Sequence, residues 1–453
     1  MKITDLNSHG GIGANSLLVE MGPFRFVVDA GLHPKLAGNE AMPSFDLVPV
    51  DSLDFIILTH CHLDHLGSLP VLSREQPDAP VFLSQPSQAL AKRMMMNSIN
   101  VMKRQRGELN LPEYPLYTRN DVKRLAERFR PIGFRKPYNF EKDGENLEIA
   151  FQPAGHVAGA ICCRLTRDAG ESVFFSGDLL FTEQRTLKGA APEPEGVDVL
   201  VLETTRGASP RKEGVTREVE VERLLDEIRK PIDKGGSCLI PVFALGRMQE
   251  ILVILDQARK DGRIPRCPVF CSGLGMSIVD YYHEISQSCT QLNFNRKVLR
   301  SLGVLPLPDH MEPGRPPGIN GIFLVSSGMV VDHTPSYRVA ASLLGDDRNS
   351  ILFVGYCDPD TPGGKLLEKR NGEEFLFEAI DYVTQVKARI RQFDMSGHAD
   401  RDELLELAHR ASPRTIVLHH GDPEARQWFS QQLAQAPYQP EVIDPIPGKT
   451  YEM

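Results

Sequence analysis

Residues 60–65 read His60-Cys61-His62-Leu63-Asp64-His65, directly after Asp54-Phe55-Ile56-Ile57-Leu58-Thr59. The apolar run has the composition of a buried strand, and the polar run sets four potential metal ligands on one short loop. Residues two apart on an extended backbone point the same way, so His60 and His62 can grip one ion. Asp64 and His65 then turn toward a second position at the start of a following helix. Imidazole and carboxylate donors suit zinc or a similar borderline metal. A lone histidine is more often packed or exposed than metal-bound, but a run of ligand types behind a buried strand is hard to explain by packing.

Outward from this loop, strand-like runs alternate with amphipathic helical stretches, which argues for α/β layers. Strands are expected at 25–29, 54–60, 81–84 and 147–156, then at Ile161-Cys162-Cys163, Ser172-Val173-Phe174-Phe175 and Val199-Leu200-Val201-Leu202. A long helix is expected over 86–107. Two more strands end on ligand types, in Pro153-Ala154-Gly155-His156 and Ser176-Gly177-Asp178. Glycine before each ligand lets backbone approach a metal closely. A carboxylate such as Asp178 can bridge two ions, the spacing that two-metal hydrolysis uses. After Gly207 the units lengthen, with helices expected near 215–230, 247–261 and 275–288 and a Pro-rich loop over 305–318. From about 385 the earlier style returns, with helices at 401–410 and 422–434. The pattern is that of a second domain inserted into the first.

Composition narrows the class. The chain has 453 residues, more than one hydrophobic core usually holds. Its 41% hydrophobic and 25% charged residues are ordinary for a globular protein. No run approaches the roughly 20 apolar residues needed to cross a bilayer. The N-terminal stretch lacks the apolar segment of a secretory signal, so a cytoplasmic location and no membrane partner are expected. The eight cysteines are scattered through apolar segments and read as reduced thiols. Cys267 and Cys271 lack a second pair at zinc-finger spacing, which argues against a structural zinc there. A net charge of −9 speaks against broad electrostatic binding of nucleic acid, but not against a local site where metal ions supply the positive charge.

Asp29, the His60–His65 run, His156 and Asp178 resemble the successive motifs of the metallo-β-lactamase superfamily. Beyond Asp178 the chain resembles the β-CASP nucleases within it. Leu202-Glu203-Thr204-Thr205 is similar to their first motif, Ser396-Gly397-His398-Ala399-Asp400 to the second, and His419-His420-Gly421-Asp422 to the third. Pro241-Val242-Phe243-Ala244-Leu245-Gly246-Arg247-Met248-Gln249-Glu250 and Ser326-Ser327-Gly328-Met329 resemble segments of mRNA 3′-end-processing endonucleases and their prokaryotic relatives. The resemblance implies a metallo-β-lactamase αββα sandwich from 1–207 and 393–453, interrupted by an α/β β-CASP domain at 208–392.

It also implies roles. His60, His62 and His156 would hold one ion and Asp64, His65 and His420 the other, with Asp178 between them and Asp29 orienting the histidine loop. Asp64, His398 and Glu203 would be catalytic, His398 facing the scissile phosphate and Glu203 hydrogen-bonding it. Arg247, Ser326, Ser327 and His398 would meet substrate, although Arg247 could instead form an inter-domain ion pair and the serines could cap a turn. The implied cofactors are two Zn2+, with Mn2+ an alternative, and the implied reaction is attack of a metal-activated hydroxide on an RNA phosphodiester. Strand alternation does not choose between His419 and His420, and the match to the third motif favours His420. A histidine there is typical of the RNA-processing branch, where the DNA-repair branch usually carries valine. The expected partner is therefore RNA, single-stranded, with a homodimer as one source of specificity. Alternatives are a DNA or small-molecule phosphodiesterase on the same scaffold, and a non-catalytic RNA-binding subunit, although such subunits usually lose ligands that are all present here. Asp422 stands where glutamate is usual, Lys365 near where arginine is common, and Val330-Val331-Asp332-His333 where a glycine pair is usual. These departures leave substrate length, polarity and the choice of endo- or exonucleolytic cutting open.

Overall fold

The structure, a computed structural model, describes residues 1–308, 311–315 and 318–453. Chain contacts divide it into two compact units. The first comprises Met1–Glu183, Lys188–Pro210 and His398–Met453, and the second Gln184–Leu187 and Arg211–Gly397.

The first unit is built on two seven-stranded sheets. One runs, in spatial order, Thr450–Glu452, Lys2–Asp5, Leu17–Met21, Phe24–Val28, Phe55–Ile57, Val81–Ser84 and Phe129–Ile132. The other runs Glu441–Ile443, Thr415–His419, Val199–Glu203, Ser172–Phe175, Ile161–Arg167, Glu145–Pro153 and Tyr138–Lys142. Each sheet joins an antiparallel half to a parallel half. Alternate residues explain the stacking. Val19, Phe26, Phe55 and Phe82 from one sheet share a core with Leu147, Ile149, Phe151, Cys163, Val173 and Val201 from the other. Residues between them, such as Leu200, Leu202 and Leu418, are buried on the opposite face, toward which Arg401–Ala411 and Pro423–Leu433 pack. Helix Gln85–Glu108 packs on the first sheet. Because both faces of the parallel strands are covered, those strands read as continuous apolar runs. This is the αββα sandwich of the metallo-β-lactamase fold.

Helix Gln85–Glu108 buries Met94 and Met95 and leaves Lys92, Lys103, Arg104 and Arg106 exposed, the solvated face that its charge pattern suggests. Ser84 caps its start by accepting the Ser87 N–H at 3.2 Å. Among the described residues no helix is long and apolar enough to cross a membrane.

The second unit carries a six-stranded parallel sheet ordered Val304–Pro306, Val269–Cys271, Ile322–Val325, Cys238–Pro241, Ser350–Phe353 and Arg389–Gln392. Helices Arg217–Asp233 and Pro335–Leu343 pack on it. The stretch 305–318, expected to be a loop, begins instead inside the edge strand Val304–Pro306, where a proline is tolerated because only one side of the strand needs partners. Residues 309–310 and 316–317 of that stretch lie outside the described residues. The antiparallel pair Glu374–Phe377 and Tyr382–Gln385 carried no signal recognised in the sequence.

Candidate metal centre

Strand ends of the sandwich deliver the ligand-type side chains. His60 follows Phe55–Ile57, His156 follows Glu145–Pro153, Asp178 follows Ser172–Phe175, and His420 follows Thr415–His419. His62 immediately precedes the short helix Leu63–Leu66, which carries Asp64 and His65. Parallel strands ending together place their loops on one edge, where α/β folds collect chemistry.

Ligand atoms of His60, His62 and His156 lie within 4.8 Å of one another, as do those of Asp64, His65 and His420, and those of His60, His65 and Asp178. His62 Nδ1 is 3.2 Å from His60 Nε2 and 3.0 Å from His156 Nε2. Asp178 Oδ2 is 3.6 Å from His60 Nε2, 3.5 Å from His65 Nε2 and 3.7 Å from His156 Nε2, so it stands between the two groups. In the second group Asp64 Oδ2 is 3.6 Å from His65 Nε2 and 3.3 Å from His420 Nε2.

This donor set fits metal cations. Three imidazole nitrogens converge on one point, where their own protons cannot satisfy all three at once. Burial, reinforced by neighbouring His65, holds His60 well below the ordinary imidazole range, so it is neutral, the form that ligates. Among the described residues, no group able to hold a metal includes Cys267, Cys271 or His419.

The ligand-type side chains are held from behind. Asp29 Oδ1 accepts the Thr59 N–H at 2.7 Å, and Oδ2 accepts the Thr59 hydroxyl at 2.6 Å and faces His65 Nδ1 at 2.7 Å. The Thr205 hydroxyl lies 2.8 Å from His420 Nδ1 and donates to Glu203 Oε2 at 2.5 Å. Asn15 Nδ2 donates to Asp64 O at 3.0 Å. Thr59, Thr205 and Asn15 were not singled out in the sequence, although each lies in, adjoins or faces a motif. Asp29→Ala should lower metal affinity roughly 10- to 100-fold, since it frees the His65 ring and strands the buried Thr59 amide. Titration against a competing chelator reads this directly, and an unchanged affinity would remove Asp29 from the site.

Two glycines allow the close approach. Gly155 at φ +74° and Gly177 at φ +52° both adopt left-handed conformations. A Cβ on them would collide with the carbonyl oxygens of Leu180 and Ile161 respectively. His420 is itself left-handed at φ +49°, so the chain leaves strand geometry there and brings its ring toward Asp64.

His398 stands beside the ligand groups. Its Nδ1 is 3.0 Å from Glu203 Oε2, and its Nε2 is 4.0 Å from Asp178 Oδ2. Burial would lower its pKa, but the Glu203 carboxylate wins and raises it above the ordinary value. Leu179 ties the three segments together. Its N–H donates to Glu203 Oε1 at 2.5 Å, and its carbonyl accepts the Ala399 N–H at 2.5 Å. Asp400 N–H then donates to Glu403 Oε2 at 2.8 Å at the start of helix Arg401–Ala411.

Arg247, Ser326 and Ser327 lie in the second unit. Arg247 begins helix Arg247–Lys260, is only 9% exposed, and pairs with buried Glu250 in the same unit. Burial draws its pKa down to about 10, against the opposing pull of Glu250. Ser326 and Ser327 follow Ile322–Val325, and the Ser327 hydroxyl accepts the Val331 N–H at 3.0 Å, a turn-forming bond.

The metallo-beta-lactamase superfamily model matches residues 9–218, a Beta-Casp domain model matches 248–366, and a model described as a Zn-dependent metallo-hydrolase RNA specificity domain matches 383–442. The chain is 27% identical to an Integrator complex subunit 11 homolog of Dictyostelium discoideum, over 96% of this chain and 59% of that protein. It is 27% identical to Cleavage and polyadenylation specificity factor 73 of Drosophila melanogaster, over 93% of this chain and 60% of that protein. It is 25% identical to "Probable RNase MJ4" of Methanocaldococcus jannaschii, over 91% of each. The chain thus spans about three fifths of the first two relatives. A crystal structure of a protein of unknown function from Enterococcus faecalis shares the fold, with TM-score 0.56, 14% identity and 99% of each chain covered.

Proposed function

We propose, for a chain that belongs to the metallo-β-lactamase superfamily and to its β-CASP nuclease family, that it hydrolyses RNA phosphodiester bonds. The observation that carries the reading is the His398–Glu203 pair set against seven convergent ligand-type side chains. His60, His62 and His156 would hold one cation, and Asp64, His65 and His420 a second, with Asp178 between them. Two zinc ions suit this imidazole-rich set, and manganese is the alternative. When bound, such a pair supplies an activated water at neutral pH and offsets charge on the phosphate.

The side chains do the rest. Asp64 and Asp178 fix the spacing of the ligand groups. His398 presents Nε2–H to the phosphate or to the departing oxygen, and Glu203 holds Nδ1 so that the ring keeps its orientation and its proton. Ser326 and Ser327 would offer hydroxyls to the backbone of the substrate, and Arg247, held by buried Glu250, would contribute through that ion pair and not by direct contact. RNA is favoured because a histidine, His420, occupies the third motif. The model described as an RNA specificity domain across 383–442, and relatives named a cleavage and polyadenylation specificity factor and a probable RNase, support the same choice. The eight free cysteines, six of them buried with thiol pKa values raised by that burial, suit a reducing, cytoplasmic setting.

Parallel assays on single-stranded RNA, DNA of the same sequence and a chromogenic phosphodiester test the substrate class. Cleavage of RNA above the other two is the expected result. Preference for DNA or for the small diester would replace RNA in this reading while leaving the hydrolytic site in place.

A further inference from the structure

Helix Arg217–Asp233 presents Arg217, Glu220 and Arg223 at three-residue spacing, so they share one face. Against that face runs Gln392–Ser396, the stretch that leads through Gly397 to His398. Arg223 Nη2 donates to Gln392 O at 2.7 Å. Glu220 Oε2 accepts the Asp394 N–H at 2.7 Å. Arg217 Nη1 donates to Ser396 O at 3.1 Å. The Arg223 guanidinium also lies 4.7 Å from the centroid of the Phe393 ring. The bonded residues 392, 394 and 396 lie where the chain leaves the strand Arg389–Gln392 and turns, with Met395 N–H donating to Phe393 O at 2.9 Å. Three side chains of the helix hold this turn in place of strand partners.

The clamp is braced from behind. Arg217 donates from Nε and Nη2 to Glu250 at 2.9 and 2.5 Å, and Glu250 also pairs with Arg247. Arg217 is 3% exposed and Glu250 fully buried. Well-packed apolar residues often stabilise a core as well as a buried ion triad does, so its presence asks for a positional reason. The carbonyl that Arg217 fixes is two residues from His398, close enough for a shift there to pass along the chain to the imidazole.

We propose that Arg217, Glu220 and Arg223 are positioning residues for His398, with Glu250 and Arg247 as their brace. The proposal rests on the reading of His398 as the residue that faces the phosphate. It gives the Gly246-Arg247-Met248-Gln249-Glu250 segment a role without contact to substrate: the Arg247–Glu250 pair locks Arg217, and Arg217 locks the approach to His398.

The test uses the full chain loaded with zinc, with Glu220→Leu, Glu220→Gln and Arg223→Gln variants. Each is measured for kcat and KM on single-stranded RNA, metal content, Tm and hydrogen exchange at the Asp394 amide. Glu220→Leu removes the acceptor and should accelerate that exchange, with kcat falling about 10- to 100-fold, KM moving less than about twofold and metal content unchanged. Glu220→Gln keeps an oxygen acceptor and should recover most of kcat. Arg223→Gln, at a half-exposed position that is not required for the core, should give a smaller fall of the same kind. Equal losses for Glu220→Leu and Glu220→Gln in step with Tm, or faster exchange with unchanged kcat, would overturn the proposal. Absence of RNA cleavage by the parent protein would instead bring down the nuclease reading, and this role with it.

Discussion

Replacing His398 with alanine should abolish RNA cleavage and leave the metal content of the protein where it was. On the proposed reading the ring transfers a proton and does not ligate. Its Nδ1 is taken up by Glu203 at 3.0 Å, and its Nε2 stands 4.0 Å from Asp178 Oδ2, farther than the three ligand-group histidines that surround the same oxygen. Loss of a positioned general acid costs about 10²- to 10⁴-fold in rate. The fold should tolerate the change, because Glu203 keeps the Leu179 N–H and the Thr205 hydroxyl as partners. Elemental analysis beside a cleavage assay decides it. Metal loss in the variant would make His398 a ligand, a geometry its distance to His156 and Asp178 allows, and would refute the assigned role.

Asp178→Ala should act in the opposite way, removing metal and activity together. Burial would raise the Asp178 carboxyl, but His420, His65 and His60 around it hold it well below the usual carboxylate range, so it is the anion at the centre of the site. Without it the two ligand groups lose the atom that stands between them, and the bound metal should fall from two per chain to one or none. Cleavage should drop to background. Thermal stability in excess zinc should fall as well, since a ligand present at 1,000 times its Kd stabilises the folded state by about 4 kcal/mol. Retention of two ions and of cleavage would exclude a bridging role.

The site was legible in the sequence where its chemistry is local. The His60–His65 run declares itself because consecutive residues on one loop must end near each other. His156 and Asp178 are weaker signals, dipeptides that gain meaning from following strands and from their order behind the loop. His420 shows where local reading stops. Alternation along Thr415–His419 could not choose between neighbouring histidines, and the left-handed turn that settles their geometry is a property of the folded chain. Arg247 is similar: its motif marks it, but only tertiary packing reveals Glu250 and Arg217 beside it. Thr205, although inside a quoted motif, and Asn15 were given no role because hydroxyls and amides are common, and only their neighbours give them a task.

Fold reading followed the same division. The central strands of the sandwich are long apolar runs, so Phe55–Ile57, Ile161–Arg167 and Val199–Glu203 stood out. The peripheral strands Tyr138–Lys142 and Thr450–Glu452, half exposed and polar, did not. Their pairing is fixed by partners distant in sequence, with Thr450 opposite Thr4 across the sheet edge.

The most direct test of the account is cleavage of a 5′-labelled, unstructured RNA by metal-replete protein, with Asp64→Ala as the control. Asp64 Oδ2 faces His65 and His420 in the second ligand group, so its removal should disable the reaction without dismantling the sandwich. Internal fragments or a ladder from the parent protein, absent with the variant, are the predicted result, and the product lengths would also separate internal cutting from trimming of an end. An intact RNA in the presence of two bound metals per chain, or equal cleavage by the Asp64→Ala variant, would contradict the account.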